Sequence, residues 1–170
     1  VSAIDCVTIP FIRGAVGPSD YTPSLVPFSD NTTVGSQMAM HVMYETGVLT
    51  MGDSPEHYAR YAEAFSFLSK LPVAYDDIRL LSGTPMSSCV IARRKADDWY
   101  VGGMSVSAKT MQVDFSAILD AGKTYEVTVF SDGDTYLDIR SETYTVTGGE
   151  TLNIKVIRNG GFAAVIKQKG

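Results

Sequence analysis

Apolar and polar positions follow one rhythm before Pro72 and another after it. From Gly35 to Glu45 the apolar residues recur at helical spacing, with Met38, Ala39, Val42 and Met43 on one stripe, which predicts a helix stopping near Gly47. The run Cys6-Val7-Thr8-Ile9-Pro10-Phe11-Ile12 is nearly all apolar or β-branched, which predicts a strand buried on both faces and ended or distorted by Pro10. Val48-Leu49-Thr50-Met51 reads as a second short buried strand, ending at Gly52-Asp53. Ser54-Pro55-Glu56 combines a hydroxyl N-cap, a proline at the first helical position and an acid in the first turn. The helix it starts is expected to reach about Ser69, with Tyr58, Tyr61, Ala62, Phe65 and Leu68 inward and Pro72 closing it. Arg13 to Asp30 is rich in Gly, Pro, Ser and Asp and reads as a long loop, anchored by Tyr21, Leu25, Val26 and Phe28.

After Pro72 the period is that of strands. Cys89–Arg94 and Trp99–Met104 form a hairpin across Lys95-Ala96-Asp97-Asp98, with Trp99 and Tyr100 on opposite faces. Thr110–Phe115, Tyr125–Phe130, Glu142–Thr147, Leu152–Ile157 and Phe162–Lys167 follow, separated by turns such as Gly148-Gly149 and Asn159-Gly160-Gly161. Short strands at such spacing indicate an antiparallel sandwich. Strand, loop, helix, strand and helix before Pro72 make one and a half βα units, too few to close a sheet. The expected fold class is therefore α+β: a remnant of a (β/α)8 barrel over residues 1–72, then an antiparallel β-sandwich over 73–170.

Composition narrows the function classes. A net charge of −5 and the lack of a basic patch argue against nucleic acid as a partner. No apolar run is long enough to cross a bilayer as a helix, so no membrane partner is expected. The chain opens on Val1 without a leader, so it is expected to begin after processing or inside something longer. Cys6 and Cys89 fit no metal or redox spacing and read as two unrelated thiols, although a disulfide stays open.

Few residues are placed for chemistry. GxSxG, GxxxxGK[ST] and GxGxxG are all absent, so neither a nucleophile elbow nor a nucleotide loop is expected. His41 and Glu45, four apart on a helix, could share a metal but have no evident third ligand; a surface polar pair is the simpler reading. Asp76-Asp77 and Asp97-Asp98 are neighbours in loops, unlike the spaced carboxylates of a glycosidase; the second pair reads as turn chemistry. Arg93-Arg94-Lys95 alternates across a strand and reads as a solvated edge or an ion pair to a neighbouring domain. Asn31-Thr32-Thr33 matches a glycosylation sequon. Asp53 ends an apolar strand, and Arg13 and Asp20 follow another; barrel enzymes build their sites at such strand ends. These three are the candidate substrate-binding residues, with capping and ion pairing as their structural alternatives.

Val7-Thr8-Ile9-Pro10-Phe11-Ile12-Arg13 followed by Val16-Gly17-Pro18-Ser19-Asp20-Tyr21-Thr22-Pro23 resembles the PFTR…GPMDYTP stretch of glycoside hydrolase family 97, with Ile12 and Ser19 as departures. Asp53-Ser54-Pro55 before an aromatic helix resembles that family's last barrel strand and helix. Ile91-Ala92-Arg93-Arg94-Lys95 with Trp99-Tyr100-Val101-Gly102-Gly103 resembles its ARRKGDxWYVGG hairpin, with Ala96 where Gly is usual. The resemblance spans the whole chain. It implies an exo-acting α-glucosidase or α-galactosidase with an N-terminal sandwich, a (β/α)8 barrel and a C-terminal sandwich, periplasmic or secreted. It implies oligosaccharide substrates and a calcium ion beside carboxylates that no position here matches. The expectation is a C-terminal fragment, inactive alone, whose partners are the upstream barrel, the N-terminal domain and a second copy in a homo-oligomer. The alternative is a free-standing β-sandwich carbohydrate-binding module, which would show a row of exposed aromatics.

Overall fold

A computed structural model describes residues 1–14, 16–18, 20–27, 29–47 and 51–169. Those residues combine four α-helices with antiparallel sheets: α1 (Ala3–Ile12), α2 (Val34–Met43), α3 (Pro55–Arg60) and α4 (Ala62–Leu68), then eight strands. The strands are β1 (Asp77–Thr84), β2 (Ser88–Lys95), β3 (Asp98–Ser105), β4 (Lys109–Asp114), β5 (Thr124–Asp132), β6 (Ile139–Thr147), β7 (Thr151–Val156) and β8 (Gly160–Gln168). Six of them form one sheet in the order β1-β2-β3-β8-β5-β6, and β4 pairs with β7 in a second. Every pair of these strands is antiparallel.

The strand expected over residues 6–12 is a helix instead. Ser2 caps it reciprocally with Asp5: the Asp5 amide donates to Ser2 Oγ at 3.3 Å and the Ser2 amide to Asp5 Oδ2 at 2.9 Å. Ala3, Cys6 and Val7 then fall on one buried stripe. Pro10 sits inside this helix, where it removes the donor that would have reached the Cys6 carbonyl. That carbonyl accepts from the Tyr44 hydroxyl at 2.9 Å, so the defect is filled from α2's C-cap residue. The expected strand over 48–51 falls largely on Val48, Leu49 and Thr50, outside the described residues, as does the anchor Phe28.

The helix expected from residue 54 breaks into α3 and α4 at Tyr61, whose φ of −117° and ψ of 52° are not helical. Its hydroxyl donates to Leu137 O at 2.7 Å, which ties the break to the loop before β6. The expected strands after residue 88 all form. An unexpected strand, β1, precedes them, with its register shifted by a bulge between Leu80 and Ser82.

The large sheet is covered on both faces. Val90, Trp99, Val101, Val127, Phe162 and Ile166 meet Met111, Val113, Phe115 and Ile154 from the second sheet's side. Tyr100, Phe130 and Ala163 face the other way, against Val34, Met38, Phe67 and Leu68. α2 is buried all around and lies across β3 and β8. Glycines make that approach possible: a Cβ on Gly102 would stand 2.5 Å from Ala39 O, and one on Gly161 2.8 Å from Ser36 Cα. Gly102→Ala is therefore expected to destabilise the fold by about 1–3 kcal/mol in urea unfolding. Gly47→Ala, with no atom of the described residues within 4 Å of its Cβ, should stay within about 0.5 kcal/mol of the parent.

Candidate functional site

The three candidate rim residues have different fates. Arg13 is the exposed C-cap of α1, and Asp20 is exposed in the loop that follows. Asp53 is committed to structure. Its Oδ2 accepts from the Leu25 and Val26 amides at 2.9 and 2.8 Å, and its Oδ1 from the Ser54 amide at 2.8 Å. His57 Nδ1 lies 2.5 Å from the same Oδ1. Burial pushes the Asp53 carboxyl up, but these hydrogen bonds together outweigh it and hold the group below the usual carboxylate range. Asp53 thus pins the loop at residues 25–26 to the start of α3, and its hydrogen bonds go there and not to Arg13 or Asp20.

His41 and Glu45 do not act together. His41 is buried, and its Nδ1 is 2.7 Å from the Gln37 carbonyl, which can only accept, so Nδ1 carries the proton. Among the described residues its Nε2 has no hydrogen-bond partner, and burial pushes the ring's pKa down to about 4. Glu45 instead pairs with Arg93 at 3.4 Å. Cys6 and Cys89 are free thiols in one buried cluster under α1. Burial raises both, Cys89 to about 12, so neither is a ready nucleophile. Asp76 shapes the β2–β3 turn, accepting from the Ala96 amide at 2.8 Å and pairing with Lys95 at 3.0 Å. Asp77 pairs with Arg79 at 2.9 Å and Asp98 with Lys167 at 3.5 Å. In the sequon, Thr33 is wholly buried at the N-cap of α2.

Calcium needs six to eight oxygens converging on one point. Among the described residues no group of three His, Cys, Asp or Glu side chains is placed to hold a metal. The described residues by themselves therefore offer the ion no such set.

The strongest polar construction lies where α2 meets the large sheet. At the helix N-terminus, Thr33 Oγ1 donates to Asp132 Oδ1 at 2.5 Å and accepts from the Ser36 amide at 2.9 Å. Asp132 Oδ2 accepts from the Ile157 and Gly161 amides, both at 3.0 Å. At the C-terminus, Arg93 Nε donates to Val42 O at 2.6 Å and Nη2 to Met43 O at 3.0 Å. Its guanidinium also lies 5.5 Å from the Tyr75 ring centroid. Both charges are buried. Each has the sign that the nearby helix terminus favours. Burial raises Asp132 to about 6 against three hydrogen bonds that lower it, and depresses Arg93 against the pull of Glu45. Sequence reading missed Asp132, which ends an apolar strand before a glycine as many turn residues do. Arg93 was visible only as part of a basic run.

The profile described as glycosyl-hydrolase 97 C-terminal, oligomerisation, matches residues 74–167. This chain belongs to glycoside hydrolase family 97. A probable retaining alpha-galactosidase of Streptomyces bingchenggensis is 36% identical over 162 residues, covering 93% of this family 97 chain and 25% of that protein. A retaining alpha-galactosidase of Bacteroides thetaiotaomicron is 33% identical over 180 residues, covering 95% and 27%. A family 97 enzyme of Pseudoalteromonas sp. strain K8, solved with acarbose, matches with a TM-score of 0.89 at 25% identity, over 99% of this chain and 29% of that one. A beta-arabinopyranosidase shares the fold at a TM-score of 0.81 and 22% identity, over 96% and 27%. The family 97 chain spans about a quarter of the length of these curated relatives.

The seam gives a test with a definite sign. Asp132 has a folded pKa of about 6 against 3.8 for the free side chain, so the folded state binds the extra proton. Its favourable contribution is complete below about pH 3.8 and disappears as pH rises through about 6, a loss of about 2–3 kcal/mol. Asp132→Asn keeps the acceptor for both amides and removes the titration. The difference in unfolding free energy, parent minus the Asp132→Asn variant, should fall by that amount between pH 4 and 7. Asp132→Ala strands the Ile157 and Gly161 amides and should cost at least about 2 kcal/mol at either pH.

Proposed function

We propose that this chain is the C-terminal part of an exo-acting family 97 α-glycosidase that releases galactose from α-galactosides with retention. Residues 1–72 supply the end of its (β/α)8 barrel, and residues 73–170 a sandwich that caps the barrel and takes part in oligomerisation. The observation that carries the substrate is the pair of relatives, both retaining alpha-galactosidases, which align over 93% and 95% of the chain. The division near Pro72 draws support from a family profile that begins at residue 74. The acarbose complex of the Pseudoalteromonas enzyme favours α-glucosides as the second reading.

Retaining hydrolysis uses two carboxyl groups about 5–5.5 Å apart, one as nucleophile and one as acid then base. Asp53, Asp76 and Asp132 each have both oxygens engaged by amides, hydroxyls or cationic partners. In this reading the reacting pair belongs to the remaining three-quarters of the enzyme. In this reading Arg13 and Asp20 face the substrate from the barrel rim, and Asp53 positions the loop behind them. A carbohydrate-binding module is disfavoured because Trp99 and Tyr100 are only 7% and 8% exposed and offer no stacking platform.

The chain alone is expected to leave nitrophenyl α-galactoside and α-glucoside intact. A protein that adds a family 97 barrel should cleave the galactoside with the higher kcat/KM. Turnover by the chain alone, persisting through purification, would remove the assignment of the acids elsewhere. A longer protein inactive on both sugars would remove the glycosidase reading.

A further inference from the structure

We propose that the outer edge of β1 is the seam through which two copies of this chain join, running antiparallel so that the large sheet continues into its twin. The inference rests on the oligomeric reading above and names the surface that does it. Among the described residues, β1 pairs with β2 alone, so one side of its backbone has no strand beside it. The amide of Ile78 is held at 2.8 Å by the Asp77 carboxylate, not by a neighbouring strand. Its apolar side chains are open: Ile78 is 44% exposed, Leu80 57%, and Met86 in the following turn 65%. Ile78 and Leu80 border a groove of about 140 Å³ with half-buried Pro10 and Phe11 and buried Met43 and Ile91, so the apolar lining continues beyond the strand.

The sheet's other edge is built differently. β6 shows Arg140, Ser141, Glu142, Thr143 and Thr145 to solvent, the polar covering that keeps an edge from pairing. β1 carries two charges, and they are of opposite sign on either side of Ile78. An isologous contact must be self-complementary. With Ile78 opposite Ile78 of the second copy, Asp77 stands opposite Arg79 of that copy, and Arg79 opposite its Asp77. The same pairing keeps Ile78 and Leu80 of both copies on the helix-bearing face. β1 also lies within the residues matched by the profile described as oligomerisation.

Sedimentation velocity on the whole chain at about 10–100 µM, where a seam of this size should hold, tests it. The parent should be a dimer, and Ile78→Lys and Leu80→Glu should each sediment as folded monomers with unchanged circular dichroism. Thr143→Lys on β6 should remain dimeric. Asp77→Arg should weaken association about tenfold, and adding Arg79→Asp should restore it, since the two cross-strand charge pairs are then only exchanged. A dimer indifferent to Ile78→Lys and Leu80→Glu overturns the seam and leaves the oligomeric reading standing. A monomeric parent overturns both. A monomer whose β1 amides gain protection from hydrogen exchange only in the longer enzyme assigns this edge to the barrel instead.

Discussion

Helix α2 is held at both ends by charges that the sheet supplies. Asp132, at the end of β5, takes the hydroxyl of the helix's N-cap Thr33. Arg93, on β2, takes the last carbonyls, Val42 and Met43. Four unsatisfied groups at each end of a helix, and a dipole that makes one end positive and the other negative, set this requirement. A helix buried all round cannot meet it with water. Both charges are themselves out of solvent, where an ion stays only if paired and hydrogen-bonded. Helix and sheet thus satisfy one another, and neither arrangement is complete without the other.

The rest of the packing follows from where that clamp places the helix. Lying directly on β3 and β8, α2 needs backbone-to-backbone approach, which Gly102 and Gly161 provide. Once α2 covers one face and the β4–β7 pair the other, the central strands are buried on both sides. That is why β2, β3 and β8 carry nearly unbroken runs of buried residues, while β4 alternates. α1 docks beside α2, and its proline defect is repaired by Tyr44. α3 and α4 close the remaining apolar ground around Tyr100 and Phe130.

How far the sequence revealed this depends on whether the signal was local. β2 to β8 were legible because alternation and turn residues are written within a few positions of one another. The run at Cys6 was misread because an unbroken apolar stretch looks the same in a buried strand and a buried helix. Pro10, expected to end or distort a strand, is tolerated inside the helix because the Tyr44 hydroxyl, 38 positions along from Cys6, takes the orphaned carbonyl, which no local pattern shows. β1 escaped because its bulge lets Leu80 and Leu81 stand together and breaks the alternation. Of the rim residues, Asp53 was rightly placed before a helix, but its partners at Leu25 and Val26 arrive from a distant loop. Asp132 was invisible for the same reason. The family resemblance, by contrast, rested on several ordered motifs and was fully legible.

The two ends of α2 also bear on where this polypeptide can be cut. A boundary near Pro72 coincides with the start of the family profile at residue 74. As mechanics it is a poor one. Removing residues 1–72 would take away the Thr33 hydroxyl, the Val42 and Met43 carbonyls and the Glu45 carboxylate, leave Asp132 the Ile157 and Gly161 amides and Arg93 the Tyr75 ring, and open Tyr100, Phe130 and Ala163 to water. A sandwich transplanted without its helix would expose that apolar ground, while water would solvate the two charges. Such a transplant would therefore need the helix with it, or polar residues in place of Tyr100, Phe130 and Ala163.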